Sequence, residues 1–227
     1  QTCALPIFFQ QARDRFADHL GLPVDQSARI EPPTDLDTDE DYAQVLTIHI
    51  AALAAVDARL HHERPPTDPA RASAYLLKRE RAHWKALHER TPGPLSTTPE
   101  AMRRCVFTAT LTRPLARTHG WDALYRVGLA DTREAANTLL DDHQYCYPTA
   151  SPITVLEPLY PDRLGEDYLG LTTPPSPDDP DASHPVPGTK TDDWAWRAAH
   201  DLLAPDAETN TLAPGTRNAL TVLIETS

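Results

Sequence analysis

The sequence contains little glycine and lacks the glycine-rich loops with which proteins commonly bind phosphate groups. Only eight of its 227 residues are glycine, and they are not clustered. Neither the G-x-x-x-x-G-K-S/T pattern of a P-loop nor the G-x-G-x-x-G pattern of a dinucleotide-binding turn occurs. We therefore expect that these residues alone neither hydrolyse ATP nor bind a dinucleotide.

Cysteine is also scarce, and it forms no pattern typical of a metal site or a disulfide framework. Cys3, Cys105 and Cys146 have no paired spacing, which favours a reduced, cytoplasmic protein. The closest histidines are adjacent or five residues apart, whereas metal ligands on one helix face are three or four apart. Cys105 falls on an apolar helical pattern, which predicts a small buried side chain rather than a nucleophile.

Positive charge is in the minority, and long apolar runs are missing. The chain has 33 acidic and 21 basic residues, for a net charge of -12. An acidic surface repels the phosphates of nucleic acids and of anionic lipids. No apolar run approaches the roughly 20 residues needed to cross a bilayer. We therefore expect neither nucleic acid nor a membrane as a partner.

Proline, in contrast, is abundant, with 23 residues against eight glycines. This balance is typical of short helices separated by stiff connections. Apolar residues recur at helical spacing, so the sequence predicts a mainly α fold, a helical bundle followed by a unit with a short β wing. We predict a helical domain over residues 8–97, a winged-helix-like domain over 98–171, a proline- and aspartate-rich linker or loop over 172–191, and the start of a truncated helical region over 192–227.

Side chains that can cap a helix mark most of the predicted helix starts. They are Asp39, Asp68, Thr98, Asp131, Asp162 and Asp192 or Asp193. Asp131 and Glu134 have the spacing of a capping box, in which each side chain accepts a hydrogen bond from a backbone N–H near the other residue. Trp194 and Trp196 follow the linker, and we expect them to anchor either a core or a contact between domains.

Residues 100–171 have the order expected of a winged helix: three helices, a proline-rich turn, a strand near residues 153–155 and a further helix. In DNA-binding winged helices the third helix enters the major groove. Here that helix and its cap contain one arginine, Arg133, and four acidic residues: Asp131, Glu134, Asp141 and Asp142. Because phosphates repel acidic side chains, the sequence favours a packing module over DNA readout.

The two ends of the chain resemble cut ends. Residues 1–7 resemble the translation of a sequencing adapter, and we expect native sequence to begin near Phe8. The last predicted helix stops inside an apolar pattern, which leaves its apolar face without a partner. We expect the chain to be an internal piece of a larger protein.

Six distinctive blocks span nearly the whole chain after residue 7. They are VLTIHIAALAAVDA (45–58), AYLLKRERAHW (74–84), MRRCVFTATLTRPL (102–115), LLDDHQYCYP (139–148), VLEPLYPDRLGEDYLGLT (155–172) and ALTVLIET (219–226). These blocks resemble a Streptomyces-type family of large ATP-binding tetratricopeptide repeat proteins. That family resembles the STAND class, the bacterial relatives of the NB-ARC and NACHT signalling ATPases.

The resemblance implies a P-loop ATPase domain before Phe8 and helical repeats after Ser227. The chain would then be the helical lid and the winged-helix part that connect these two intramolecular partners. In such proteins ADP holds a closed state, and exchange for ATP opens the protein for homo-oligomerisation. The resemblance therefore implies ATP and ADP as ligands of the complete protein, and no cofactor for this segment alone.

The resemblance also implies a sensor-like turn. NB-ARC proteins carry a Met-His-Asp triplet after the winged helix, in which the histidine contacts the nucleotide and the aspartate caps the next helix. Tyr160, Pro161 and Asp162 take this place here, so Asp162 has the cap role, whereas Pro161 has no polar side chain to replace the histidine. Arg163 is the candidate substitute because a guanidinium group binds phosphate well. A surface arginine without a ligand is the alternative.

The leading interpretation is a non-catalytic regulatory segment of a STAND-type ATPase, which couples nucleotide state to helical repeats. One alternative is a transcriptional regulator that uses the winged helix on DNA. Another is a passive helical scaffold for protein interactions. The acidic third helix opposes the first of these alternatives.

Overall fold

The computed structural model describes residues 4–174, 191–205 and 210–225. These residues form ten α-helices and one two-stranded antiparallel sheet. The prediction of a mainly helical chain with a short β element is confirmed. The predicted linker, residues 172–191, lies mostly outside the described residues, as do residues 1–3 of the predicted artefact.

The described residues divide into two compact units, and the division falls between Lys78 and Arg79. The first unit contains α1 (Leu5–Leu20), α2 (Val24–Ser27), α3 (Val45–Leu60) and the beginning of α4 (Pro69–Glu89). We predicted the first boundary near residue 97, and the structure places it inside α4 instead. No proline or glycine breaks α4 there, although the charged run Lys78–Arg81 interrupts its apolar stripe at the boundary.

In the first unit, α1 packs against an alanine-rich face of α3. The buried alanines of α3 are Ala51, Ala52, Ala54, Ala55 and Ala58. Small side chains at a contact shorten the distance between helix axes. Phe9 of α1 is fully buried. The hydroxyl of Tyr75 in α4 donates a hydrogen bond of 2.8 Å to Asp57 in α3, which fixes the start of α4 to the same core.

The second unit is arranged around one helix, α5 (Pro99–Thr112), against which five other helices pack. These are α6 (Arg117–Arg126), α7 (Arg133–Cys146), α8 (Asp162–Thr172), α9 (Asp193–Leu203) and α10 (Thr216–Glu225). The buried apolar residues of α5 occur on all sides of the helix: Met102, Cys105, Val106, Phe107, Ala109 and Leu111. A helix that is apolar all round belongs in the middle of a core.

Three threonines of α5 are buried among these apolar side chains. The hydroxyls of Thr108, Thr110 and Thr112 donate to the carbonyl four residues earlier, at 2.8 to 3.0 Å. Burial of a hydroxyl without a partner is costly. Because each hydroxyl is satisfied within the helix, α5 can be covered on every side.

The sheet is a short ribbon formed by β1 (Leu115–Ala116) and β2 (Thr154–Val155). Leu115 pairs with Val155, and Ala116 pairs with Thr154, in antiparallel register. The strand predicted near residues 153–155 corresponds to β2. The sequence did not predict β1, since two residues are too few to show an alternating pattern. Helix α6 (Arg117–Arg126) begins directly after β1.

Three of the six predicted caps are confirmed, and Asp39 caps a short 3₁₀ helix, Glu40–Ala43, that precedes α3 rather than α3 itself. The side chains of Asp68, Thr98 and Asp192 accept hydrogen bonds of 2.9, 3.2 and 3.0 Å from a backbone N–H in the first turn of their helices. The predicted capping box at Asp131 is wrong, because Thr132 is the N-cap of α7 and accepts from the N–H of Ala135 at 3.2 Å. One residue of displacement puts Glu134 at the second helical position, where it cannot close the box.

The last two helices do not form a separate region. Both α9 and α10 belong to the second unit and pack on α5, which differs from the predicted truncated domain over residues 192–227. The N–H of Asp192 donates to the carbonyl of Thr172 at 2.9 Å, so the end of α8 and the start of α9 are adjacent. Ala219 and Val222 bury one face of α10.

A glycine allows α6 to approach the ribbon closely. A methyl group added at Gly120 would lie 2.7 Å from a methyl carbon of Val155, closer than packed atoms approach. Gly170 in α8 is exposed and has nothing within 4 Å of the same added group. Gly120 and Gly170 therefore differ in the space around them.

We predict that Gly120→Ala lowers the free energy of unfolding by about 1 to 2 kcal/mol, because overpacking outweighs the gain in helix propensity. Gly170→Ala should raise it by about 0.5 to 1 kcal/mol, because only the propensity term acts there. Urea unfolding followed by circular dichroism measures both. Equal effects of the two substitutions would contradict the close contact between α6 and β2.

Candidate functional site

The turn before α8 is the place where the sequence predicted a nucleotide sensor. Pro161 is the N-cap of α8, and no side chain caps the helix. The carbonyl of Pro161 accepts the first helical hydrogen bonds, from Leu164 at 2.8 Å and from Gly165 at 3.2 Å. The predicted cap role of Asp162 is therefore wrong. Asp162 is the first helical residue, where its negative charge still interacts favourably with the helix N-terminus.

The carboxylate of Asp162 binds an arginine that the sequence did not single out. Arg113 lies at the end of α5 and donates from Nη1 to Oδ1 of Asp162 at 3.0 Å. These residues are 49 positions apart, so no local pattern indicates the pair. The side chain of Arg113 is about a quarter exposed and that of Asp162 about half exposed. Solvent therefore screens this ion pair.

The backbone of Arg113 adopts a conformation that only glycine adopts readily, with φ of 59° and ψ of 177°. A residue in such a region costs of order 1 to 3 kcal/mol. An exposed ion pair contributes about 0.2 to 1 kcal/mol. The contact between Arg113 and Asp162 therefore does not offset the strain at Arg113.

A second strained residue lies at the same end of the ribbon. Leu156 follows β2 with φ of 61° and is fully buried. Burial of a leucine side chain contributes about 1.5 to 3 kcal/mol, which is comparable with the cost of its backbone conformation. Strain at Leu156 is thus balanced by packing, whereas strain at Arg113 is not.

Arg163, the predicted phosphate ligand, is bound by an aspartate of the same helix. Its Nε lies 3.0 Å from Oδ1 of Asp167, one turn further along α8, and both side chains are about four-fifths buried. Arg113 is likewise bound by Asp162. The two guanidinium groups near this turn are therefore matched by two carboxylates. A phosphate group that binds here must displace a carboxylate first.

The predicted third helix of the winged helix, α7, exposes less acidic charge than its sequence suggests. The carboxylate of Asp142 is buried and accepts hydrogen bonds from the N–H groups of Ser96 and Thr97 at 2.8 and 2.6 Å. Glu134 and Asp141 remain exposed. Arg133 lies over the ring of Trp121, with 4.3 Å to the ring centroid. Asp141 also pairs with Arg117 of α6 at 2.7 Å, so the exposed face of α7 is only weakly acidic.

The carboxylate of Asp192 is the centre of a second polar cluster. Its Oδ1 caps α9, while its Oδ2 accepts hydrogen bonds from Arg103 and, at 2.9 Å, from Nε of Arg104. The side chain of Arg103 is only 2% exposed and also donates to Glu100. A buried guanidinium is tolerated only when carboxylates compensate its charge. Asp192 thus joins α9 to the centre of the unit.

The ionisation of Asp192 reflects these contacts. Burial raises the pKa of the carboxyl group, but the N–H of Trp194 and the guanidinium groups of Arg104 and Arg103 lower the pKa by more. The net pKa lies below the ordinary value for aspartate. Asp192 therefore stabilises the fold in its charged form.

The two tryptophans after the linker have different roles. Trp194 is buried within the second unit, where its indole N–H donates to the carbonyl of Val127 at 2.8 Å and its ring meets Phe107 edge-on. Trp196 is half exposed and donates to the carbonyl of Pro174 at 3.1 Å. Of the two anchor roles that the sequence left open, the core role fits Trp194.

Cys105, Cys146 and His143 of the second unit have shifted pKa values that keep all three side chains uncharged near neutral pH. Burial, followed by the carboxylates of Glu80 and Asp142, raises the pKa of the Cys146 thiol to about 11. Burial also raises the pKa of Cys105 and lowers that of His143 to about 3. Because a thiolate is the nucleophile, neither cysteine is activated. Among the described residues, no group of three or more histidine, cysteine or acidic side chains has the geometry of a metal site.

Every helix among the described residues is too short or too polar to traverse a lipid bilayer. The sequence matches no model of a protein family, no curated protein and no solved structure.

We predict that Asp192→Asn lowers the free energy of unfolding by about 2 to 3 kcal/mol, because charged hydrogen bonds to two arginines are lost. Since the folded pKa of Asp192 is lowered, its contribution is complete above pH of about 4 and is lost as the pH falls through the folded pKa. The loss of stability in acid should therefore be shallower in Asp192→Asn. Urea unfolding at several pH values between neutral and acid measures this.

Asp193→Asn is the matched control, because Asp193 is exposed and its neighbour provides the cap. We expect this variant to retain both the stability and the acid dependence of the original chain. If Asp192→Asn and Asp193→Asn behave alike, the cluster around Asp192 does not hold α9 to α5.

Proposed function

We propose that this chain is the non-catalytic regulatory segment of a STAND-type signalling ATPase. It couples the nucleotide state of an upstream ATPase domain to helical repeats that follow it. ATP or ADP binds mainly to the upstream domain, and the complete protein is cytoplasmic and oligomerises when ATP replaces ADP. The chain itself carries out no reaction.

The order of elements in the second unit carries this proposal. Helix α5, strand β1, helices α6 and α7, and strand β2 follow one another, and β1 pairs with β2. This order supports a winged-helix-like unit in which β1 and β2 form the short sheet. A winged helix between an ATPase domain and a repeat domain is the arrangement that the sequence blocks imply.

The position of the α8 turn supports the same proposal. It directly follows the wing, where NB-ARC proteins place their sensor triplet. Two arginines, Arg113 and Arg163, lie in or beside this turn and are bound by Asp162 and Asp167. A nucleotide phosphate that exchanges with one of these carboxylates would change the local ion pairs and so couple nucleotide state to α8.

The buried chemistry of the second unit supports a non-catalytic role. Cys105 is fully buried, and Cys146 has its pKa raised to about 11, so neither provides a thiolate near neutral pH. His143 is fully buried with its pKa lowered to about 3, which leaves it neutral at physiological pH. The sequence also contains no P-loop pattern, which supports the same non-catalytic role.

We predict that isothermal titration of this chain with ADP shows no binding tighter than about 1 mM. A longer protein that includes the upstream ATPase domain should bind ADP. In that protein, Arg163→Gln should weaken ADP binding about tenfold or more, because a charged contact to phosphate is lost.

Arg197→Gln is the matched control, because Arg197 is an exposed arginine on α9, remote in sequence from the α8 turn. It should leave ADP affinity unchanged. Tight ADP binding by the present chain alone would refute the dependence on an upstream domain. Equal ADP affinity of Arg163→Gln and the unmodified longer protein would remove Arg163 from the site.

A winged-helix regulator of transcription is the second candidate, because the same order of elements favours it. The exposed face of α7 opposes it, since Glu134 and Asp141 are exposed and Arg133 is held over Trp121. We predict that this chain does not retard duplex DNA in a gel, even at low salt, where phosphate contacts are strongest. Retardation that depends on DNA sequence and weakens with salt would establish this candidate instead.

A further inference from the structure

One end of the ribbon combines two strained residues with an ion pair. Leu115 pairs with Val155 in antiparallel register, so the residues just before β1 and just after β2 lie at the same end. Arg113 lies two residues before β1 and Leu156 directly after β2, and both have left-handed φ angles, of 59° and 61°. Asp162 binds Arg113 across this end. Strained residues that cluster in this way point to a conformational role.

We propose that Arg113, Leu156 and Asp162 form a latch that lets the ribbon open while the rest of the second unit stays folded. In the closed state the ion pair, together with the packing of the buried ribbon side chains Leu115 and Val155, holds Arg113 in its left-handed conformation. In the open state the backbone of Arg113 relaxes to an ordinary extended conformation, the ion pair breaks and β1 separates from β2. The proposal concerns this chain alone and goes beyond the proposed function, since it requires no nucleotide.

Few hydrogen bonds oppose the opening, although the buried side chains of Leu115, Val155 and Leu156 must leave part of their packing. The ladder consists of two residue pairs, Leu115 with Val155 and Ala116 with Thr154. The next link between the segment after β2 and α5 is a hydrogen bond from the N–H of Leu159 to the hydroxyl of Thr110, which at 3.4 Å is long. The ion pair is solvent-screened. Relaxation of Arg113 favours the open state.

The surrounding unit is held by contacts that the opening leaves intact. Arg103 and Arg104 bind Asp192 at the other end of α5 from Arg113, and α9 stays attached through this cluster. The hydroxyl of Tyr168 in α8 donates to the carbonyl of Arg103 at 2.6 Å. The latch and these contacts therefore lie at opposite ends of α5, which separates local opening from global unfolding.

Native-state hydrogen exchange of the full chain, without nucleotide, tests the latch. We expect the ribbon amides to exchange at least about tenfold faster than the core amides of α5, because they open without global unfolding. An increase of salt from 0.05 to 0.5 M should speed exchange of the ribbon about twofold, because salt screens the ion pair. The α5 amides should not respond in this way.

Two substitutions at one position separate strain from charge. Arg113→Ala removes the ion pair and keeps the strain, so the ribbon should exchange faster than in the original chain and lose its salt dependence. Arg113→Gly removes both, and its ribbon should exchange about tenfold more slowly than that of Arg113→Ala, because glycine adopts this conformation without strain.

Asp162→Asn should resemble Arg113→Ala, since each removes one partner of the ion pair. Asp167→Asn is its control, because it breaks an ion pair within α8 that does not reach the ribbon, and it should leave ribbon exchange unchanged. The latch is overturned if Arg113→Ala and Arg113→Gly exchange alike. It is also overturned if the ribbon exchanges at the rate of the α5 core in every variant.

Discussion

The charge of Asp192 is the constraint on which the second unit depends. Its carboxylate caps α9 and compensates Arg103, a guanidinium in the N-terminal half of α5 that lies almost entirely out of solvent. Without that carboxylate, a buried positive charge would lose one of its two partners, which is among the larger costs a core can meet. The N–H of Asp192 also donates to the carbonyl of Thr172, so the start of α9 lies next to the end of α8.

Local features of the fold were accessible from the sequence, and contacts between distant segments were not. The caps at Asp68 and Thr98 depend on three or four neighbouring residues, which the sequence displays directly. At Asp131 two adjacent residues were both able to cap, and tertiary packing selected Thr132. The division at Lys78 and the pairing of β1 depend on partners far along the chain, so periodicity carried no signal for either.

The candidate site shows the same limit. The position of the motif placed Asp162 and Arg163 in the first turn of α8. It also assigned the cap role to the side chain of Asp162, whereas Pro161 is the N-cap and its carbonyl accepts the first helical hydrogen bonds. The partner of Asp162 is Arg113, which precedes a proline and carries no motif. The strain at Arg113 is visible in its φ and ψ angles and not in the sequence. Asp142 was counted with the exposed charges of its helix, although its carboxylate binds the N–H groups before α5.

The proposed coupling of nucleotide state to the second unit is tested most directly by hydrogen exchange of a longer protein that carries the proposed upstream ATPase domain, in ADP and in a non-hydrolysable ATP analogue. The coupling predicts that exchange in residues 113–116 and 154–167 differs between the two nucleotides, while α1 and α3 exchange equally in both. Identical exchange of residues 113–116 and 154–167 in both nucleotides would contradict it and would leave a passive scaffold as the better description.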